Sequence, residues 1–322
     1  MSEFSFIYHD CHDPYFNIAS EEYLLKEKGG CYIYVWKNSP AVIVGVNQNT
    51  IAEVNMGETE RLNVKIVRRL TGGGAVYHDL NNLCFTVIAE NKENSDFYRE
   101  FTAPVIDYLN SIGVKAEFSG RNDITVDGKK ISGNAETFYK DKVLHHGTIL
   151  FKTDMETLSA VLKPNRYKTE SKGIKSVRAR VANVSEYTDI SAEKFESGLI
   201  AFLGKDLPRY EFTAGDIKRI NELVREKYST FAWNIGTSPK GANSFCDKFP
   251  FGVFELYFDV EKGLISHAEI RGDFFSYKDS EEFSQKLAGI PFSRSALSSA
   301  FADVSEYIAG ADGEEIVRRL FS

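Results

Sequence analysis

The stretch Arg68-Arg69-Leu70-Thr71-Gly72-Gly73-Gly74-Ala75-Val76-Tyr77-His78-Asp79 carries a glycine triplet between two β-rich runs, Val64–Arg68 and Leu83–Ala89. Three residues without Cβ atoms let the backbone take unusual dihedrals and approach a ligand closely. Backbone N–H groups in such a loop can hold an anion. Arg68 and Arg69 add permanently charged, forked donors beside it. No Gly-Lys-Ser/Thr follows, so this is not a Walker A loop, and a strand rather than a helix comes next, so it is not a dinucleotide fingerprint. The plainer account is a flexible turn between strands. The arginine pair and His78-Asp79 favour a ligand loop.

Outward from the loop, strands and helices alternate. Upstream, Phe16–Lys26 reads as a helix, and Tyr32–Trp36 and Ala41–Val46 as strands around Ser39-Pro40. Downstream, Ser95–Ile112 has apolar residues near helical spacing, with Pro104 expected to kink it or mark its start. Thr153-Asp154-Met155-Glu156 reads as a capping box before a helix that Pro164 closes. Further helices are expected at Ala192–Leu203 and Asp216–Tyr228. Asn234–Lys248 is rich in Gly, Ser, Pro and Asn and reads as a linker. Beyond it, strands Phe251–Val260 and Leu264–Arg271 and three short helices form a small α+β unit.

Composition bounds the answer. The chain has 322 residues, 43% of them apolar and 26% charged, enough for one large or two ordinary domains with a sizeable core. No apolar run nears the roughly 20 residues of a membrane span, and the N-terminus has neither the basic flank nor the apolar stretch of a signal peptide. A net charge of −7 argues against general nucleic-acid binding. Cys11, Cys31, Cys84 and Cys246 form no CxxC, and the six histidines form no HExxH. Reduced thiols in the cytoplasm are the expectation, with Cys84 packed in an apolar strand.

Three more stretches carry chemistry. In Gly120–Ala135, Asp127-Gly128 is a strong hairpin signal between Ile124–Val126 and Lys130–Ser132. Strand alternation puts Lys130 and Ser132 on one face and Lys129 and Ile131 on the other, so one lysine can face inward. A basic exposed hairpin is the alternative. In Lys163–Asn183, seven basic residues stand against Glu170, a local net charge of +6 in an acidic chain. That stretch is either a solvated surface or a loop that binds polyphosphate and closes over it. No series of aromatic platforms interleaves the charges, which disfavours nucleic acid. His145-His146 lies in a strand candidate, Val143–Phe151, where one ring must face inward as a core histidine or a catalytic one.

Taken together, RRLTGGGAVYHDLNN (68–82), GRNDITVDGKKISGNA (120–135), HHGTILF (145–151) and KGIKSVRARVANV (172–184) strongly resemble the lipoate–protein ligase A family. The likeness extends to Phe16–Glu22, Gly45–Asn49 and Trp233–Pro239, nearly the whole chain. One departure is Val46, where relatives often carry a basic residue.

The resemblance implies an α+β fold: a large mixed-sheet catalytic domain of the biotin and lipoate ligase type over residues 1–240, and a small C-terminal accessory domain over 241–322. It implies activation of lipoate with ATP and Mg²⁺ to lipoyl-AMP, then transfer to a lysine of lipoyl-domain proteins. Those acceptors would be E2 subunits of 2-oxoacid dehydrogenases and the glycine-cleavage H protein. Arg69, Gly72, Gly73, Gly74, Ala75, Val76 and Tyr77 would contact nucleotide or adenylate, with Asp123 positioning the ligand or a metal; the metal ligands stay unassigned. Lys130 would touch both the lipoyl carbonyl and the phosphate as an electrostatic clamp. Lys172, Gly173, Ser176, Val177, Arg178 and Arg180 would form the adenylate-binding loop. The alternative is an ATP-independent lipoyl or octanoyl transferase on the same fold. Where that chemistry runs through a thioester it needs an active-site cysteine, and none occurs in residues 120–183.

Overall fold

The computed structural model describes residues 4–92, 95–120, 122–163, 181–235, 243–261 and 263–321. A seven-stranded sheet runs through the first two-thirds of the chain. Its strands are β1 (Phe4–Tyr8), β2 (Cys31–Trp36), β6 (Asn82–Glu90), β7 (Glu117–Ser119), β8 (Asp123–Val126), β9 (Lys129–Tyr139) and β10 (Lys142–Leu150). They lie in the order β1-β2-β6-β10-β9-β8-β7, parallel at β1-β2 and antiparallel elsewhere. A second sheet, β4-β3-β5, joins β3 (Ala41–Val44), β4 (Lys65–Arg68) and β5 (Val76–His78). The third, β11-β12-β13, is antiparallel and joins β11 (Asn243–Phe249), β12 (Gly252–Glu261) and β13 (Leu264–Gly272).

Local chemistry sets these elements. Pro14 opens the helix Pro14–Lys26, and the Asp13 side chain accepts from Tyr15 N, the preferred start of a helix. Asp127 and Gly128 both take positive φ, 49° and 73°, which is the two-residue turn that matches strand twist. Pro104 lies inside the unbroken helix Phe97–Ser111, so it neither starts nor ends it. The cap before Met155–Val161 is Asp154, not Thr153. The segment read as a linker, 234–248, instead contains most of β11, and β1 was not anticipated.

Apolar clusters cover both faces of the large sheet. Phe85, Tyr108 and Phe195 anchor one, and Ile18, Leu24, Trp36 and Tyr228 the other. A separate phenylalanine-rich cluster, with Phe254, Phe274, Phe283 and Phe301, fills the C-terminal unit. That unit seats on the glycine loop: Gly73 N donates to Phe274 O at 3.2 Å, and Gly272 N to Asn47 O at 2.8 Å. Asn47 Nδ2 donates to Ser276 Oγ at 2.6 Å, and Asn47 Oδ1 accepts from Ser280 Oγ at 3.0 Å.

Gly72 makes this seat possible. A Cβ there would meet Phe274 O at 2.3 Å and Phe275 Cα at 3.0 Å, both backbone atoms. Gly72→Ala should therefore destabilise the protein by about 1–3 kcal/mol, the usual cost of overpacking. Chemical denaturation checks this, and an unchanged midpoint would show that the contact is dispensable.

Candidate active site

The sheet's register lays out one row across five strands. Trp36 on β2 pairs with Cys84 on β6, and Cys84 with Thr148 on β10. Gly133 N on β9 reaches Thr148 Oγ1 at 3.4 Å, and Gly133 pairs with Asp123 on β8. All five residues line a single cavity of about 300 Å³. At ~4.8 Å between strands, the row spans roughly 19 Å. Ile18 and Ile43 add to its apolar end, and Lys130 joins Asp123 at its charged end.

Lys130 reaches the cavity through a break in strand alternation. Ile124 pairs with Ser132 but Thr125 with Lys130, so Ile131 is an extra, bulged residue. The expectation that Lys130 and Ser132 share a face therefore fails, as a bulge re-aims side chains. Lys130 instead lies over Gly133, where a Cβ would come within 2.7 Å of its Nζ. Nζ forms a 2.7 Å ion pair with Asp123 Oδ1. Ser132 is fully buried, and Lys129 is exposed. Val181 bridges Lys130 from the next described segment, with Ala182 N donating to Lys130 O at 2.9 Å.

The three glycines do three different jobs. Gly72 lets the C-terminal unit approach and borders a neighbouring cavity. Gly73 has φ of 89° and is crowded by Arg69 and Phe275 at 3.1 Å each, so only glycine fits there without strain. Gly74 lines the active cavity with nothing within 4 Å of a would-be Cβ. Ala75 and Val76 also line the cavity. Tyr77 points the other way, as strand alternation requires, and is buried in the cluster of Val42, Leu158 and Val161.

The two arginines are held differently. Arg68 directs its donors to Gly45 O, Val46 O, Gln48 O, Trp233 O and Thr50 Oγ1. It brackets the turn from Gly45 to Thr50. Arg69 borders the cavity but also binds the loop itself, donating to Ile43 O, Gly72 O, Gly74 O and Thr71 Oγ1. Burial pushes its guanidinium down to about 10, so it stays charged at neutral pH.

Side chains from other parts of the chain, Glu21, Thr86 and His146, join the loop at the site. Thr71 Oγ1 lies 2.8 Å from His146 Nε2, and His146 Nδ1 lies 2.9 Å from Glu21 Oε1. Glu21 Oε1 accepts from Thr86 Oγ1, which accepts from Trp36 Nε1. This continuous network ties the glycine loop to Trp36. His145 faces the opposite side of the sheet and meets Glu136 Oε1 at 2.8 Å, the core role foreseen for one of the pair. His78 lines the cavity beside Cys84, and burial, then Arg69 and His146, push its imidazole down to about 3. It is neutral there. Burial, then Glu21, holds the Cys84 thiol well above its ordinary value.

Lys172, Gly173, Ser176, Val177, Arg178 and Arg180 lie outside the described residues. Among the described residues, no group of three or more His, Cys, Asp and Glu side chains forms a metal cluster, and no helix is long and apolar enough to cross a membrane.

Comparison with known proteins places this geometry. The profile of the lipoyl protein ligase A/B catalytic domain matches residues 13–204, and that of the bacterial lipoate protein ligase C-terminus matches residues 238–320. Lipoate-protein ligase LplJ of Bacillus subtilis is 41% identical over 304 residues, 91% of each chain. Lipoate–protein ligase 1 of Staphylococcus aureus is 40% identical over 315 residues, 95% of this chain and 96% of the relative. LipL1 of P. falciparum, solved with lipoate, superposes with a TM-score of 0.78 at 27% identity, covering 99% of this chain and 98% of that one. A lipoate-protein ligase A bound with ATP gives 0.64 at 28% identity, covering 73% and 99%. The fold, the cavity and these matches agree: the chain belongs to the lipoate–protein ligase family.

Proposed function

We propose that this protein activates lipoate with ATP to lipoyl-AMP and transfers the lipoyl group to a lysine of lipoyl-domain proteins. The observation that carries this reading is the row across the sheet, apolar at Trp36 and Cys84 and charged at Asp123 and Lys130. An acyl chain lies along the first part, and its carboxylate meets the α-phosphate at the second. The relatives solved with lipoate and with ATP support both ligands.

Activation joins two anions, a carboxylate oxygen and the α-phosphorus, and expels pyrophosphate. The Lys130 ammonium offsets that charge as it develops, in a site that holds its donors in place beforehand. Arg69 keeps the loop carbonyls turned toward itself and adds fixed positive charge. In the second step the acceptor amine attacks the acyl carbon and AMP leaves. Lys130 would steady both the carbonyl oxygen and the departing phosphate; its place in the cavity lining supports this role.

Mg²⁺ characteristically takes one or two carboxylates and completes its shell with phosphate oxygens and water. Asp123, a carboxylate at the charged end, fits as one such ligand. The ion would neutralise phosphate charge there. The basic stretch 172–183 is proposed to serve the adenylate; its +6 setting and the bridge from Val181 to Lys130 support this. We also propose the division into residues 1–240 and 241–322, supported by the separate apolar cluster of the third sheet. E2 subunits of 2-oxoacid dehydrogenases and the glycine-cleavage H protein are the proposed acceptors. The solved archaeal ligase with its E2 lipoyl domain supports that class. A cytoplasmic setting accords with Cys11, Cys31, Cys84 and Cys246 forming no disulfide.

The thioester form of the transferase reading needs an accessible, activated thiol beside the acyl carbon. Cys84 lines the cavity, but toward the apolar end, three strands from Asp123, with its thiol strongly disfavoured as thiolate. That geometry favours the ligase.

Lys130→Ala should slow ATP–pyrophosphate exchange with lipoate by about 10²–10³, the typical loss of one transition-state contact. Lys129→Ala should be near neutral. Unchanged exchange in the Lys130 variant would remove it from the mechanism. Gly74→Val tests the loop more cleanly than Gly73→Val, because position 74 is open and position 73 is strained for any side chain. It should raise KM for lipoate and ATP while leaving thermal stability close to wild type; the reverse pattern would make the loop purely structural. Trypsin cleavage within residues 164–180 should slow when lipoate, ATP and Mg²⁺ are all present and change little with lipoate alone. Equal cleavage in all states would separate this stretch from the adenylate.

A further inference from the structure

We propose that Asp273, supplied by the C-terminal unit, holds a hydroxyl of the nucleotide's ribose in the adenylate cavity. This rests on the ligase reading and adds a residue to the nucleotide site of that reading. Asp273 lines the same cavity as Gly73, Gly74, Ala75 and Val76 of the glycine loop, and as Lys130. Its neighbours on both sides are bonded to the earlier part of the chain. Gly272 N donates to Asn47 O at 2.8 Å, and Phe274 O accepts from Gly73 N at 3.2 Å. Asp273 Oδ1 in turn accepts from Val253 N at 2.6 Å. Gly252 leaves room for that carboxylate, since a Cβ there would come within 2.7 Å of Asp273 Oδ1. These bonds hold the side chain in place on the cavity wall.

Among the described residues, two acids line this cavity, Asp123 and Asp273. Asp123 is paired with Lys130 at 2.7 Å. Asp273 Oδ1 has its backbone donor, and Oδ2 carries no hydrogen bond or ion pair among the described residues. A carboxylate oxygen on the wall of a cavity that takes a phosphate is unfavourable unless a donor meets it. The lipoate carboxylate and the α-phosphate bring only acceptors. The ribose brings two hydroxyls, and a carboxylate accepting from a ribose hydroxyl is a recurring solution in nucleotide sites. One methylene and one ester oxygen separate the ribose ring from the α-phosphorus. A group beside the glycine loop therefore reaches the sugar before it reaches the base.

The test compares ATP, 2′-deoxy-ATP and 3′-deoxy-ATP in pyrophosphate exchange with lipoate, using the full-length protein. Removing the held hydroxyl should raise the wild-type KM for nucleotide by about tenfold, the scale of one hydrogen bond to a charged group. Asp273→Asn keeps an oxygen for Val253 N, and Asp273→Ala removes both. Each should raise KM for ATP by a similar factor and leave KM for lipoate unchanged. On either variant, the analogue that was weak on the wild type should lose little more than ATP does. Thermal unfolding of Asp273→Asn close to wild type would show that its effect is not a loss of fold. Both analogues matching ATP on the wild type would overturn the proposal, as would effects of variant and analogue that multiply in full. Unchanged exchange with slower transfer from preformed lipoyl-AMP would assign Asp273 to the acceptor instead. A raised Mg²⁺ requirement, equal for all three nucleotides, would make it a metal ligand and equally overturn the proposal. Absence of exchange in the wild-type protein would overturn the ligase reading itself.

Discussion

The buried guanidinium of Arg69 is the constraint on which this site depends. Taken out of water, a cation must find fixed partners or cost several kcal/mol. Arg69 finds them in the carbonyls of Ile43, Gly72 and Gly74 and the hydroxyl of Thr71. Because a trans peptide sets its C=O and N–H in opposite directions, fixing the Gly74 carbonyl on Arg69 also turns the Ala75 N–H away from it. The loop is thus shaped from behind before any ligand arrives. Thr71 passes the constraint onward through His146 and Glu21 to the helix Pro14–Lys26 and, by Thr86, to Trp36. One hydrogen-bonded frame therefore spans both the charged and the apolar parts of the cavity.

That frame explains how two incompatible environments share one cavity. Ile18, Trp36 and Ile43 make one part of its lining apolar, and Lys130 and Arg69 make another part positively charged. The sheet separates them by strand spacing, with antiparallel register holding each residue in its place along the row. The β9 bulge then delivers the lysine. Without the extra residue at Ile131, regular alternation would not bring Lys130 over Gly133 on the cavity side. The C-terminal unit closes the arrangement by resting Phe274 and Phe275 on the glycine loop, so loop shape and the seating of that unit are one problem.

Much of this was legible from the residues. Asp127-Gly128 determined its own turn, because few pairs tolerate positive φ twice in succession. The helix Ala192–Leu203 and the strands around Gly263 followed from periodicity, and the four ordered motifs pointed to the family. The glycine triplet marked a loop at the site, and Asp123 and Lys130 marked the hairpin beside it. These are local signals, carried by residues a few positions apart, whose physics does not wait for the rest of the chain.

What the sequence could not assign was the work of each residue at a distance. Arg68 and Arg69 look alike as a pair, but one brackets Gly45–Thr50 and the other lines the cavity, because neighbouring residues leave a strand in opposite directions. Tyr77 belongs to a motif that lines the site, yet its side chain packs in the core. Gly72, Gly73 and Gly74 are chemically identical, and only the approach of Phe274 and Phe275 gives each its separate role. Glu21, 65 positions from its hydrogen-bond partner Thr86 and 125 from His146, has no local signature at all. Local propensity acts within a turn or two of chain. Register, bulges and buried charge pairing act between strands and helices that meet only after the fold has formed, and there the tertiary structure alone decided.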